Sequence, residues 1–195
     1  LAAIADALAD LAGRHRDTPV VGRTNLQQAV PVTFGFKMAG LLAAVERHRE
    51  RLAELRPRVL VGQFAGAAGT LASLPSGGLE VQAALMAELG LGQPPIAWHT
   101  QRDGIAEAAC FLGLVGGTLG KLAADVKLMM QTEVGEVYEP FAVGRGSSST
   151  MPQKRNPVSC IYIHAAVAAA RPQVTAILEA MVAEHERSAG PWQIE

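Results

Sequence analysis

Cysteine is nearly absent: only Cys110 and Cys160 occur, each inside an apolar stretch. So sparse a count gives no disulfide framework and fits reduced core thiols in a cytoplasmic protein. The five histidines are scattered, and no HExxH or CxxC spacing occurs, which argues against a zinc site. A surplus of charge is also missing, with 17 Lys and Arg against 18 Asp and Glu. No electrostatic case follows for nucleic acid or an anionic membrane surface. The local basic run at Arg47, Arg49 and Arg51 reads as the solvated face of a helix. No stretch of about 18 apolar residues free of glycine and charge is found, so no membrane span is expected. What the chain does hold is apolar material: 49% hydrophobic and only 18% charged residues, neither a disordered segment nor a charged tail. Its 195 residues suffice for one domain or for part of a larger elongated one. The chain opens at Leu1 within a helical pattern and closes at Trp192-Gln193-Ile194-Glu195 without a polar tail, from which a fragment is expected.

Strand alternation is missing too. Prolines and glycines divide the chain into long helical blocks. Residues 1 to 13 read as a helix stopped by Gly13, followed by a loop through Asp17-Thr18-Pro19 and Gly22-Arg23-Thr24. A helix is predicted from Val32 to Leu55, with Met38, Leu41, Val45, His48, Leu52 and Leu55 on one face and Pro57 ending it. A Gly/Ala-rich connection leads to a shorter helix over 79–89. From Asp103 to about Glu133, Ile105, Ala108, Leu112, Val115, Leu119, Leu122, Val126 and Met129 form a heptad seam. At about 1.5 Å per residue this helix is roughly 45 Å long. Gly113, Gly116, Gly117 and Gly120 on its other faces cost about 1 kcal/mol each against alanine. Such a sequence makes sense where neighbouring backbones approach closely, and a helix apolar all round is buried all round. An oligomer with a shared helical core is therefore expected. The last helix is predicted to start with Asn156 as N-cap and Pro157 at the first helical position. Its stripe is Ile163, Val167, Ala170, Val174, Ile177 and Met181, with a kink at Pro172. The fold class expected is all-α: an elongated up-and-down helical bundle, with residues 1–195 as one domain.

Between the two longest helices lies Gly144-Arg145-Gly146-Ser147-Ser148-Ser149-Thr150-Met151-Pro152-Gln153-Lys154-Arg155-Asn156-Pro157. A flexible Gly/Ser loop is delivered here onto a helix N-terminus. Hydroxyls, cations and backbone N–H groups converge, and the helix dipole adds to a field that suits an anionic ligand. The loop can close over that ligand and exclude water. By composition alone, a solvated linker with a helix cap remains an equal reading.

The run Ser-Ser-Thr-Met-Pro-Gln-Lys-Arg-Asn-Pro resembles the GSSxMPxKxNP signature of the fumarase and aspartase superfamily, which includes argininosuccinate and adenylosuccinate lyases. The resemblance implies a catalytic base at Ser148 and carboxylate contacts from Lys154 and Asn156, with Ser149, Met151 and Arg155 also lining the substrate. One departure is Ser147, where the family has glycine; a backbone needing φ > 0 there would be strained, which leaves Ser147 open beside Ser148 as the reactive serine. A second segment, Gly22-Arg23-Thr24-Asn25-Leu26-Gln27-Gln28-Ala29-Val30-Pro31-Val32-Thr33, resembles the GRTHxQxAxPxT stretch of the same enzymes. Thr24 and Asn25 then become substrate contacts. The lyases carry histidine where this chain has Asn25, and asparagine cannot shuttle a proton near neutral pH. An elimination that needs a protonated leaving group is harder to support than a cycloisomerisation. A third segment, Trp98-His99-Thr100-Gln101-Arg102-Asp103, is similar to the WHTQRD stretch of the carboxymuconate cycloisomerases. It implies substrate contacts at Thr100 and Gln101 and a second proton carrier at His99, histidine being the side chain that titrates near neutrality; a structural role for this lone histidine beside tryptophan stays open. Asp103 reads as a helix cap. Segments 131–141, with Glu133 and Glu136 read as positioning or helix-end carboxylates, and 185–187 also resemble the superfamily.

The resemblance implies the central domain of the fumarase/aspartase-like fold and a homotetramer in the cytoplasm. It implies a small polycarboxylate substrate, with no metal or organic cofactor, no nucleic acid and no membrane. A fumarate-releasing lyase such as adenylosuccinate lyase and an inactive helical scaffold of the same family stay open as alternatives.

Overall fold

The computed structural model describes residues 1–74, 76–142, 144–187 and 189–190; the closing Trp192 to Glu195 lie outside the described residues. The elements are α1 (Ala2–Arg14), β1 (Pro19–Thr24), β2 (Gln27–Thr33), α2 (Phe34–Val59), α3 (Gly78–Leu89), α4 (Asp103–Met129) and α5 (Val158–Ala180). Helices dominate, as expected. The chain divides into two compact units, Leu1–Glu50 with Leu114–Ala170 and Arg51–Gly113 with Arg171–Glu195.

In the first unit Ala5 and Leu8 of α1 pack against Met38, Leu41 and Val45 of α2, spacings of three and four residues that put each set on one helical face. The end of α1 meets the start of α2 backbone to backbone. Gly35 N–H donates to the His15 carbonyl at 2.9 Å and Phe34 N–H to Thr18 at 2.9 Å. A Cβ at Gly35 would stand 2.6 Å from the Ala12 carbonyl oxygen, so only glycine permits this approach. His48, predicted on the apolar face of α2, is buried, with its Nε2 2.8 Å from the Thr118 hydroxyl of α4.

The expected loop before α2 is instead an antiparallel hairpin. Pro19 pairs with Thr33 and Thr24 with Gln27, leaving Asn25 and Leu26 as a two-residue turn with φ of 50° and 63°. Both central residues left-handed define a type I′ turn, whose twist matches that of the strands. Asparagine tolerates this conformation, whereas leucine adopts it at a cost of roughly 1–2 kcal/mol. Gly22 sits where the register slips between Val21 and Arg23, and a Cβ there would lie 2.7 Å from the Val30 carbonyl oxygen. Leu26→Gly is expected to raise stability by about 0.5–1 kcal/mol, the relieved strain exceeding glycine's greater chain entropy. A lowered denaturation midpoint would contradict this.

The glycines of α4 do admit α5. A Cβ at Gly120 or Gly116 would meet the Val167 methyls at 3.4 and 3.9 Å, and in the second unit one at Gly113 would meet Val174 at 3.1 Å. Gly117 faces open space. Polar anchors support the contact: His164 Nε2–H donates to the Gly120 carbonyl at 3.0 Å, and the Lys127 ammonium donates to His164 Nδ1 at 3.1 Å. The heptad seam of α4 is shielded unevenly: Met129 is buried and Leu122 packs against the α1–α2 core, whereas Leu112 is 67% exposed. Off the seam, Ala106 and Ala123 are buried and Leu114 is 54% exposed. Apolar residues lie on more than one side of α4, so the period alone does not say which side faces the chain's own core. Both α4 and α5 are long and apolar enough, by length and composition, to cross a membrane. Glycines in α4, Pro172 in α5 and isolated polar residues in both interrupt them, so neither contains an unbroken apolar run of that length.

In the second unit α2 runs two residues past Pro57, which lies in its last turn, where a missing N–H breaks only one helical bond. At its end Arg58 pairs with Glu107 of α4. Helix α5 likewise continues past Pro172. Helix α3 ends on Gly90 at φ 65°, with Leu91 N–H bonded to Met86 and Gly90 N–H to Ala87, a Schellman close. Met86 is buried against Gly62, where any Cβ would overlap its sulfur. Cys110 and Cys160 are both free thiols.

Candidate functional site

The loop before α5 is pinned at its base. Asn156 N–H donates to the Gly146 carbonyl at 2.9 Å, and Ser147 bridges Arg155 in antiparallel fashion. Gly146 supplies the left-handed backbone, at φ 74°, and a Cβ on it would stand 2.9 Å from the Asn156 carbonyl oxygen. Ser147 is not among the non-glycine residues with positive φ, so serine in the family's glycine position brings no such strain. Beyond this base the chain turns on Ser148. Its Oγ accepts the N–H of Met151 at 3.1 Å and that of Thr150 at 3.4 Å. Ser148 is half-buried, whereas Ser147, Ser149, Met151, Lys154 and Arg155 are exposed and Asn156 is half-buried. Two N–H groups aimed at one hydroxyl oxygen stabilise negative charge on it.

The start of α5 differs from the predicted cap. Ile161 N–H makes its helical bond to the Pro157 carbonyl at 2.9 Å, so Pro157 takes the cap position and Asn156 precedes it. The next free N–H groups are satisfied from a distance: Glu139 accepts from Ser159 at 3.0 Å and from Cys160 at 2.9 Å. The positive end of this helix therefore already holds a carboxylate. Burial pushes Glu139 upward, but the N–H bonds from Cys160 and Ser159 outweigh it and hold the carboxyl below its ordinary value. The neighbouring Cys160 thiol is pushed up to about 12, first by burial and then by Glu139. Arg145 donates to the Ser159 hydroxyl at 2.9 Å, and the Arg155 guanidinium lies 3.6 Å over the Phe141 ring. Glu139, Phe141, Arg145, Arg155 and Asn156 line a small pocket here.

Thr24 and Asn25 occupy the exposed end of the hairpin in this same unit. Beside them Arg23 makes a bidentate pair with Glu136, at 2.8 and 2.7 Å, with both side chains largely shielded. The hydrogen bond from Arg23 holds the Glu136 carboxyl below its ordinary value. A carboxyl so depressed contributes stability that is full above the ordinary carboxylate range and is lost as pH falls through the lowered value. Arg23→Leu is expected to cost about 1 kcal/mol at neutral pH. Its deficit should shrink as pH falls below ~4; melting curves across pH test this, and a constant deficit into acid would refute it.

His99, Thr100 and Gln101 belong to the second unit. Gln101 is exposed. Thr100 is buried, and its hydroxyl donates to the His185 carbonyl at 2.8 Å rather than facing solvent. His99 is engaged on both ring nitrogens, with Gln63 Nε2 2.7 Å from Nδ1 and the Gly66 carbonyl oxygen 2.8 Å from Nε2. Arg187 approaches Nε2 at 3.3 Å, so segments 98–101 and 185–187 meet in this unit. Sequence reading gave no role to Gln63, which stands in no motif used there, or to Glu139, which lies within the 131–141 segment; their partners lie 36 and 20–21 residues away.

Residues 1–170 match the family model described as Lyase, and the chain belongs to this family, within the fumarase and aspartase superfamily that the signature loop indicated. It is 59% identical to the 3-carboxy-cis,cis-muconate cycloisomerase of Pseudomonas aeruginosa, over 98% of this chain and 42% of the relative. It is 56% identical to trans-aconitate decarboxylase 1 of Mycosarcoma maydis, over 100% of this chain and 39% of the relative. The crystal structure of the 3-carboxy-cis,cis-muconate lactonizing enzyme from Pseudomonas putida superposes with a TM-score of 0.90 at 51% identity, covering 98% of this chain and 42% of that one. The chain thus spans about two fifths of the length of these relatives.

Proposed function

We propose that the whole protein is a cytoplasmic cycloisomerase that interconverts 3-carboxy-cis,cis-muconate and a carboxymuconolactone in protocatechuate breakdown, the beta-ketoadipate pathway. The observation that carries this reading is the Ser148 hydroxyl held by two N–H groups in a loop that also bears Lys154, Arg155 and Asn156. In the lactonising direction a substrate carboxylate oxygen bonds to one end of a double bond, and the carbon beside another carboxylate takes a proton from Ser148. In reverse, Ser148 removes that proton and the C–O bond breaks. The charge that builds up beside the carboxylate needs fixed positive potential, and each well-placed donor contributes about 3 kcal/mol in the transition state. Lys154 and Asn156 supply it, with Thr24, Asn25, Ser149, Met151 and Gln101 as further substrate contacts. Asn25 does not shuttle a proton, and none is needed, because no separate group leaves. His99, bonded on both nitrogens, orients the 98–101 segment. No cofactor is invoked. The protein works as a homotetramer, and the exposed apolar side chains of α4 and α5 support burial by other subunits.

The 56% identity to a trans-aconitate decarboxylase supports a second reading, since loss of CO2 also leaves charge on carbon in a polycarboxylate. Loss of carboxymuconate absorbance, measured beside trans-aconitate decarboxylation and adenylosuccinate cleavage, separates the readings. Turnover of carboxymuconate alone is expected. Turnover of only another substrate would overturn the cycloisomerase, and inactivity of the intact oligomer on all three would favour the inactive scaffold.

A further inference from the structure

We infer that Gln63 is a positioning residue that sets the tautomer and ring plane of His99 and so holds the 98–101 segment; its bearing on turnover rests on the function proposed above. The Trp98 backbone N–H can only donate, and its partner is Gln63 Oε1. The other end of that amide is therefore the NH2 group, and it faces His99 Nδ1 at 2.7 Å. Nδ1 must accept, so the ring hydrogen lies on Nε2, where the Gly66 carbonyl receives it at 2.8 Å. The opposite tautomer would leave a donor against a donor at Nδ1 and two acceptors against each other at Nε2. Among the described residues the one contact favouring it is the longer one to Arg187, at 3.3 Å. Trp98 fixes the same place from its side chain, its indole N–H donating to the Gly62 carbonyl at 3.0 Å. One amide thus sorts donors from acceptors on two successive residues. Gly66, at φ 76°, lies where the chain turns to present its carbonyl to the ring.

The test is long-range ¹H–¹⁵N spectroscopy of ¹⁵N-histidine-labelled protein, with kinetics of the intact oligomer on carboxymuconate. The unsubstituted protein should show His99 with Nδ1 unprotonated and Nε2 protonated. Gln63→Glu presents acceptor oxygens to Nδ1 and should move a proton onto it. Gln63→Leu removes both bonds and should give averaged tautomers. Both variants should lose turnover by about tenfold or more while the helical circular dichroism is kept. His99 spectra unchanged in both variants would overturn the inference, as would a switched tautomer with turnover untouched. The spectra decide the Gln63–His99 coupling without substrate, whereas failure of the unsubstituted protein to consume carboxymuconate would count against the proposed function alone.

Discussion

Ser148→Ala is expected to lower carboxymuconate turnover by about a hundredfold or more, the contribution of a positioned proton carrier. Helix content should not change, because the hydroxyl bonds only to N–H groups of its own turn. The geometry separates this serine from its neighbours. Ser147 is exposed, with its backbone bridged to Arg155, and Ser149 is exposed beyond the turn. Ser148 alone has N–H groups directed at its oxygen, so an alkoxide there is stabilised without rearranging the loop. Ser147→Ala and Ser149→Ala are accordingly expected to change turnover by no more than about threefold, short of the loss from a proton carrier. Steady-state rates of the three variants, measured at saturating substrate, give the ranking. A mild effect at Ser148 beside a severe one at Ser147 would move the reactive oxygen by one residue and undo the assignment.

Glu139→Ala is expected to destabilise the protein by about 2–3 kcal/mol, because two N–H groups of the first turn of α5 lose a charged acceptor while remaining partly shielded. Glu139→Gln keeps one acceptor oxygen and should fall between the two. Denaturant titration gives the midpoints. Cys160 provides an independent readout. Its thiol stands at about 12, first through burial and then through Glu139. Removing the carboxylate should lower it and speed labelling by a disulfide reagent at alkaline pH. Below the ordinary carboxylate range the parent itself should lose this stability, as Glu139 protonates through its depressed value. Equal midpoints and equal labelling for parent and Glu139→Ala would show that the helix start is capped by other means.

The helices were legible because their signals are local. Met38, Leu41 and Val45 recur at helical spacing, and Gly90 and Asp103 punctuate where α3 ends and α4 begins. The hairpin was not. Pro31 and the bulge at Gly22 break the alternation that marks a strand, and the turn carries Asn25-Leu26 where a glycine would have signalled it. The signature loop was legible through its rare residue types. Its supports were not, since each joins residues distant in sequence. Arg23 finds Glu136 across 113 positions, and nothing near either residue advertises the other. For α4 the periodicity named a face but not a partner, because glycines and leucines alternate around the whole helix.

The Gly146–Asn156 hydrogen bond, with the Ser147–Arg155 bridge beside it, ties the neck of the signature loop and leaves only residues 148–154 outside the knot. Any swing toward a ligand is then the motion of a short flap on a fixed hinge. The conformational entropy lost on closing is confined to that flap, and the rest of the segment arrives already ordered.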